Sequence, residues 1–411
     1  MTFESVCIAG LGYIGLPTAV VFAERGVRVF GYDTNAALVD DINRGRAPLV
    51  EPDLAEHLGA VVAAGALTAA LSPTRADATV IAVPTPFLAD KSADLSYIQA
   101  AAETIAPVLY DGALVVLEST SPPGATEQLA AWLAAARPDL VSGDGELLID
   151  IVHCPERVLP GNILSELVTN DRVVGGLTTR ASERGRALYS LICNGEILLT
   201  DAKTAELSKC VENSFRDVNI AFANELSLVC DTLGIDVWQL IDLANHHPRV
   251  NILQPGPGVG GHCLAVDPWF IVAADPVNSR LIRTAREVND GKPAWVADKV
   301  NEALSDKPES TIAALGLAFK PDIDDLRESP ARAVVETIAK ANPAAHVLVV
   351  EPNVSSLPSE LAALRNVSLV DYQTALAQAD CVVLLVDHKE FRTRPTLRDD
   401  VIIVDTRGRW R

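Results

Sequence analysis

The sequence predicts an α/β protein, with doubly wound parallel sheets in its first and last parts and a long helix between them. Three observations carry this expectation. Short β-branched runs alternate with Ala-rich stretches at both ends, a glycine-rich turn joins the first run to the first helix, and a sustained helical period fills the middle.

Runs 6–9, 27–32, 79–83, 114–118 and 149–153 read as strands that close on Gly, Pro, acidic or polar residues. Segments 16–25, 54–64 and 97–109 between them read as helices. Strands separated by helices need crossover connections, and those build a parallel sheet covered on both faces. From position 201 onward no Pro or Gly occurs until Gly234, a natural helix stop. Within that stretch Leu207, Val211, Phe215, Val218, Phe222, Leu226 and Val229 recur every 3.7 residues or so, the period of an amphipathic helix long enough to join two lobes. A loop rich in Pro, Gly and His follows at 245–268. After Glu309 the alternation resumes, with strands expected at 311–317, 345–350, 381–386 and 401–405 and helices at 331–341 and 372–379. No internal repeat is visible in the sequence.

The 411 residues suggest two to three domains, and 49% hydrophobic with 21% charged residues describes a chain that buries large cores. A net charge of −20 repels phosphate backbones and anionic lipid, which argues against nucleic acid and membrane as partners. An anionic small substrate then needs a local cationic pocket. The opening MTFESVCIAGLGYIG has no basic segment before its apolar run, so no signal peptide is expected, and the longest apolar runs are too interrupted to span a bilayer. The cysteines at 7, 154, 193, 210, 230, 263 and 381 are odd in number and scattered without a CxxC pair. That pattern argues for a reducing, cytoplasmic setting and against a disulfide framework or zinc site. His153, His246, His247 and His262 lack the spacing of a helical metal site, and no metal is expected.

GLGYIG at 10–15 fits G-x-G-x-x-G between a strand and a helix. Gly10 permits the tight turn, Gly12 lets a pyrophosphate approach, and Gly15 lets the helix pack close, with Tyr13 and Ile14 between them. Asp33 ends the second strand 18 residues past Gly15, where its carboxylate accepts from ribose hydroxyls and repels a 2′-phosphate. NAD is therefore expected over NADP. Thr85 in VPTPF, and Thr120 and Thr126 in ESTSPPGAT, follow strands and are placed to line the cofactor crevice, although Pro and Thr are also ordinary turn residues. Cys263 follows glycines at 256, 258, 260 and 261, a setting that suits a nucleophilic thiolate, whereas most cysteines are buried small hydrophobes. Lys209, Asn213 and Arg216 share one face of the long helix at i, i+4 and i+7, either as a substrate-facing stripe or as solvated surface. Lys320 and Arg327 offer positive charge for a diphosphate or cofactor, or are simple surface charges.

Seven ordered motifs, GLGYIGLP, VPTPF, ESTSPPGAT, CPERVLPG, AELSKCVENSFRDVNIAFANE, GPGVGGHCLAVDP and GLAFKPDIDDLRESP, resemble the UDP-glucose/GDP-mannose dehydrogenase family over nearly the whole chain. HHPRVNILQPGPGVGGHC and AVDPWF are most similar to the branch of that family acting on UDP-N-acetyl-D-mannosamine. UDP-glucose members usually carry Phe and Lys where this chain has Arg157 and Val266. UDP-glucose and UDP-N-acetylglucosamine are the alternative substrates.

The resemblance implies two Rossmann-like doubly wound domains joined by a long central helix and a helical dimerisation segment. The NAD-binding domain would span 1–195, the helical domain with the cysteine loop 196–305, and the UDP-binding domain 306–411. It also implies a four-electron oxidation of the sugar C6 alcohol to a carboxylate with two NAD. Cys263 would be the nucleophile, Lys209 would stabilise the oxyanion and assist proton transfer with Asn213 beside it, Glu156 would activate the deacylating water, and Asp267 would hold a water or orient the lysine. Thr120 is a further candidate for positioning water. Arg157, Val158, Lys209, Asn213, Arg216, His247, Arg249, Gly260, Phe319 and Lys320 would bind the UDP-sugar, and Arg327 would approach NAD. In the family the arginine matching Arg249 reaches the neighbouring subunit's site, which implies a homodimer. A two-electron alcohol dehydrogenase and a non-catalytic nucleotide sensor are the competing readings; neither needs Cys263.

Overall fold

The computed structural model describes residues 3–48, 51–158, 161–261 and 263–411. Leu159 and Pro160 of CPERVLPG, and His262, lie outside the described residues. The chain forms two compact units, Met1–Val211 and Glu212–Arg411.

Among the described residues the first unit is built on eight strands: β1 (Ser5–Ala9), β2 (Arg28–Tyr32), β3 (Leu67–Ala70), β4 (Ala78–Ile81), β5 (Leu114–Leu117), β6 (Asp150–His153), β7 (Arg172–Gly176) and β8 (Ile197–Asp201). They lie in the order β3-β2-β1-β4-β5-β6-β7-β8, parallel except for the β6–β7 pair. Ile8 faces Gly31 on one side and Val80 on the other. Alternate residues of β1 feed separate cores, Val6 and Ile8 one, Cys7 and Ala9 the other, as expected of a sheet buried on both faces. The direction of winding reverses at β1, which leaves a crevice beyond the carboxyl ends of β1 and β4.

All five expected strands of this unit form, with ends shifted by one or two residues. Val83 leaves the ladder because its N–H donates to the Ser119 hydroxyl instead (2.9 Å). Strands β3, β7 and β8 lie outside the runs read as strands in the sequence; β3 is short and β7 ends on two glycines, whereas β8 is a five-residue strand, ILLTD.

The second unit carries β9 (Thr311–Leu315), β10 (His346–Val350), β11 (Val367–Leu369), β12 (Cys381–Leu384) and β13 (Ile402–Asp405), all parallel in the order β11-β10-β9-β12-β13. Its core packs the Pro330–Ala341 helix and part of the Arg280–Ala303 helix against the sheet.

The long helix, Ala202–Leu233, has 32 residues and starts in the first unit. Its apolar period is present, but much of that stripe faces outward: Phe215 is 69% and Phe222 53% exposed. The inward face is polar. Asp217 and Asn224 are buried and bonded to Arg286 and Asn289 of the Arg280–Ala303 helix, Asp217 Oδ1 to Arg286 Nη1 at 2.5 Å and Asn224 Nδ2 to Asn289 Oδ1 at 2.8 Å. Each of these four side chains has a hydrogen-bond partner, which offsets much of the cost of burying it, although Asp217 Oδ2 and Arg286 Nε are left without one.

Candidate active site

Gly10 has φ +94°, and its N–H donates to Tyr32 O at 2.8 Å. A Cβ at Gly10 would lie 2.5 Å from Ala82 O, and one at Gly15 only 1.9 Å from Gly10 O, so both positions demand glycine. Gly12 is exposed, with open space where a Cβ would stand. Ile14 precedes the Gly15–Glu24 helix, which has no acidic residue in its first turn, and Tyr13 packs beside the core. Asp33 turns its carboxylate back onto this loop. Oδ2 accepts from Leu11 N and Oδ1 from Asn35 N, both at 2.9 Å. An open helix N-terminus for phosphates, flanked by a fixed carboxylate with lone pairs left for ribose hydroxyls, fits NAD.

Beyond β4 and β5, Thr85 Oγ1 donates to Thr120 O at 2.6 Å, tying the two expected crevice loops together. Thr126 is buried. Its N–H and Oγ1 both donate to Glu206 Oε1 at 2.6 Å, and Gly124 N donates to Oε2 at the same distance. Glu206, from the long helix, thus caps the Ala125–Ala136 helix, and Thr126 shapes that helix end with its hydroxyl directed at the cap.

Glu156 lies in a buried charge cluster that the sequence did not reveal. Arg172, only 4% exposed, sits 3.2 Å from Glu156 Oε2 and 3.7 Å from Glu118 Oε1, with its guanidinium 4.6 Å from the centre of the Tyr189 ring. Glu118 also accepts from Tyr189 OH at 3.0 Å. Burial, then the charge of Glu156, pushes the Glu118 carboxyl up to about 8, so at neutral pH it holds a proton. Glu156 Oε1 accepts from Arg157 N at 2.7 Å, and the Arg157 guanidinium donates to Asp171 O. Val158 packs against the core beside them. Burial pushes His153 down to about 3, which keeps it neutral.

On the long helix Lys209 is partly buried in the first unit, and Arg216 is exposed in the second. Asn213 Nδ2 donates to Asp267 Oδ2 at 2.5 Å, and Asp267 is itself buried. Cys263 precedes the Asp267–Ala274 helix, its carbonyl accepting from Val266 N (2.9 Å) and Asp267 N (2.8 Å). All seven thiols are unbridged; six are buried and Cys263 is partly exposed. Burial pushes Cys154 and Cys381 up to about 12, fixing them as inert thiols. Arg286, held by Asp217, also reaches Leu264 O at 3.4 Å and so steadies the residue after Cys263.

Gly260 and Gly261 pack on Phe319; a Cβ on either would lie 2.9 Å from a Phe319 carbon. Lys320 is exposed next to it. Arg327 is exposed and forks onto Asp325 (Nη2 to Oδ2, 2.6 Å). His247 and Arg249 are exposed, linked by Arg249 N to His247 Nδ1 at 3.3 Å. Among the described residues no three His, Cys, Asp or Glu side chains gather as a metal site requires.

Comparison with known proteins adds the family. The NAD binding domain of the UDP-glucose/GDP-mannose dehydrogenase family matches residues 4–193, its central domain 203–291, and its UDP binding domain 313–411. The chain is 57% identical to a UDP-N-acetyl-D-mannosamine dehydrogenase of Yersinia pestis, covering 100% of both chains. It is also 57% identical to an NDP-N-acetyl-D-galactosaminuronic acid dehydrogenase of Ralstonia nicotianae, covering 99% of this chain and 96% of the other. The solved UDP-D-ManNAc dehydrogenase of Pyrococcus horikoshii superposes with a TM-score of 0.88 at 39% identity, over 99% of this chain and 96% of that one. The chain belongs to the UDP-glucose/GDP-mannose dehydrogenase family of NAD-dependent nucleotide-sugar oxidoreductases.

Proposed function

We propose that this chain oxidises the C6 alcohol of UDP-N-acetyl-D-mannosamine to the carboxylate of UDP-N-acetyl-D-mannosaminuronate, with two NAD reduced for each sugar. The observation that carries the reading is Cys263, the one cysteine of seven that is not buried, set on a glycine-rich loop. An aldehyde carbon yields a hydride only after a nucleophile has added to it, and a thiolate serves that purpose. Bound at the glycine turn, NAD supplies the hydride acceptor for both oxidations.

The remaining roles fall to the chain's own groups. Lys209 takes part in moving the alcohol proton and stabilises the oxyanion, assisted by the second N–H of the Asn213 amide. Asp267 orients Asn213 through the bond already described. Cys263 Sγ adds to the aldehyde carbon, and loss of hydride from the resulting thiohemiacetal leaves a thioester. Glu156 takes a proton from the water that attacks this thioester, releasing the carboxylate and the Cys263 thiol. Thr120 is the second candidate for holding that water. Arg157, Val158, Arg216, His247, Gly260, Phe319 and Lys320 line the UDP-sugar, while Thr85 and Arg327 serve the NAD side; Thr126, buried with its N–H and hydroxyl both on Glu206, serves that side only by shaping the helix end.

We also propose a homodimer, with Arg249 contributed to the neighbouring site. The outward apolar residues Phe215, Phe222, Val229 and Leu233 of the long helix, and the exposure of Arg249, support it. We also propose a division into segments 1–195, 196–305 and 306–411, which matches at 4–193, 203–291 and 313–411 support. A cytoplasmic location accords with seven unbridged thiols and with described helices none of which is long and apolar enough to cross a membrane.

The equal identity to the Ralstonia nicotianae protein favours a second reading, an NDP-N-acetyl-D-galactosamine substrate. A panel of UDP-N-acetyl-mannosamine, -galactosamine and -glucosamine and UDP-glucose with NAD decides between them. The highest kcat/KM is expected with the mannosamine and two NADH per sugar; a higher value with another sugar overturns the substrate. One NADH per sugar removes the thioester step.

A further inference from the structure

The turn at Phe319 and Lys320 is held from both ends by one buried pair of side chains that the proposed mechanism leaves unused. Glu351 follows β10 and is buried. Its Oε2 accepts from Leu317 N at 2.7 Å, from Ala318 N at 3.0 Å and from His388 Nε2 at 3.0 Å. Its Oε1 accepts from the backbone and side-chain nitrogens of Asn353, both at 3.1 Å. His388, wholly buried and edge-on to the Phe391 ring, accepts at Nδ1 from Asp322 N at 2.9 Å. A backbone N–H can only donate, so Nδ1 is bare and the ring proton sits on Nε2, where it serves Glu351.

The consequence is a clamp with two jaws. Glu351 fixes the amides of Leu317 and Ala318, His388 fixes that of Asp322, and only Phe319, Lys320 and Pro321 lie between. Asp322 takes the left-handed conformation at φ +61°, costly for a non-glycine residue, and its carboxylate is pinned by Lys389 N (2.8 Å) and Arg392 Nη2 (2.7 Å). The far side of Phe319 abuts Gly260 and Gly261 of the cysteine loop, just ahead of Cys263. Burial alone would raise the Glu351 carboxyl, but the bonds from His388 and the Leu317 amide outweigh it and hold the group below its usual range.

We infer that His388 and Glu351 are positioning residues that preset the Phe319 and Lys320 turn for the UDP moiety, so that no ordering of this segment is left to substrate binding. The inference rests on the proposed assignment of Lys320 to the UDP-sugar. Preorganisation of this kind acts on affinity, since a loop already in its bound shape costs less entropy to engage.

The test uses the full-length protein with UDP as the calorimetric probe, alongside KM and kcat. Gln places an amide nitrogen near the ring Nε2 and loses the acceptor, whereas Asn places an oxygen near Nδ1 and keeps it. His388→Gln is expected to weaken UDP binding and raise the UDP-sugar KM by about tenfold, with kcat and the KM for NAD within about twofold. His388→Asn is expected to recover most of the affinity. UDP affinity unchanged in His388→Gln, or Asn as weak as Gln, overturns the inference. Lys320→Ala runs in parallel: if it leaves UDP binding intact, the assignment of the turn to UDP fails, and the inference with it. Should His388→Gln not fold, hydrogen exchange on the wild-type protein decides. Amides of Leu317, Ala318 and Asp322 protected before UDP is added support the clamp; amides protected only after UDP is added overturn it.

Discussion

Asn213 and Asp267 share a 2.5 Å hydrogen bond that joins the long helix to the first residue of the helix behind Cys263. The bond spends one N–H of the amide and sets the direction of the other. If Asp267 acts through Asn213, removing either should cost nearly the same, and removing both little more. Asn213→Ala and Asp267→Asn are each expected to slow acid formation by about tenfold to a hundredfold, with a double variant well short of the product of the two. Full multiplicativity in a double-mutant cycle would separate their roles.

Cys263→Ser replaces a good leaving group and nucleophile by a hydroxyl that ionises far less readily. Acid formation is expected to fall by about a thousandfold or more, while NAD binding, measured by fluorescence titration, stays as in the wild type. Acid produced at the wild-type rate by the purified variant would take Cys263 out of the chemistry.

Glu118 connects the buried cluster to a pH dependence of stability. Its carboxyl titrates near 8 in the folded chain but close to the ordinary carboxyl value of about 4.5 when unfolded, so folding binds a proton between those limits. The stability this contributes is full below about pH 4.5 and is lost as pH rises through about 8. Thr18, Tyr189, Arg172 and Glu156 face the group. Glu118→Gln keeps the shape without the proton. Its urea-unfolding free energy should therefore gain on the wild type by a few kcal/mol between about pH 5 and pH 8, then level off. Parallel curves would refute the linkage. Arg172→Met, which strands Glu156 beside Glu118, should cost about 3–5 kcal/mol.

How much of this was legible follows from the range of each interaction. Gly10 and Gly15 could be read because a turn this tight leaves no room for a side chain, a constraint carried by the residues themselves. Asp33 could be read because its place at the end of β2 is set by one crossover. Glu118 meets Arg172 across 54 positions and Glu206 caps Thr126 across 80, and no local pattern encodes such pairings. His388 and Glu351 pair across 37 positions, again beyond any local pattern. In the long helix the period was visible, but period alone does not say which face turns inward; Asp217, Asn224 and their partners claimed it. The second glycine turn was also hidden. Gly316 has the same φ of +94° as Gly10, and Leu317 N donates to Glu351 as Leu11 N does to Asp33, although the surrounding residues differ.

We propose that Asp33 governs cofactor choice. Its Oδ1 and Oδ2 are anchored by backbone amides, so the carboxylate cannot swing away from a 2′-phosphate. Asp33→Asn keeps one acceptor and removes the charge. The KM for NAD is expected to rise by about tenfold and the preference for NAD over NADP to narrow by at least as much. Steady-state kinetics with both cofactors check this, and an unchanged preference would assign the discrimination elsewhere.

The outward stripe of the long helix makes a prediction in which charge and apolar surface oppose each other. Phe215, Phe222, Val229 and Leu233 are each roughly half exposed or more, an arrangement that costs free energy unless a second copy covers it. Each chain carries −20, so two copies also repel. Salt screens that repulsion and leaves apolar burial intact, so raising NaCl from about 0.05 to about 0.5 M should tighten the proposed dimer, the reverse of an interface held by ion pairs. Sedimentation equilibrium at both salts reads the change. Phe215→Asp with Phe222→Asp should give monomers at every salt, because four buried carboxylates without partners cannot be accommodated across a symmetric contact. A dimer that persists in that variant would move the interface off this helix.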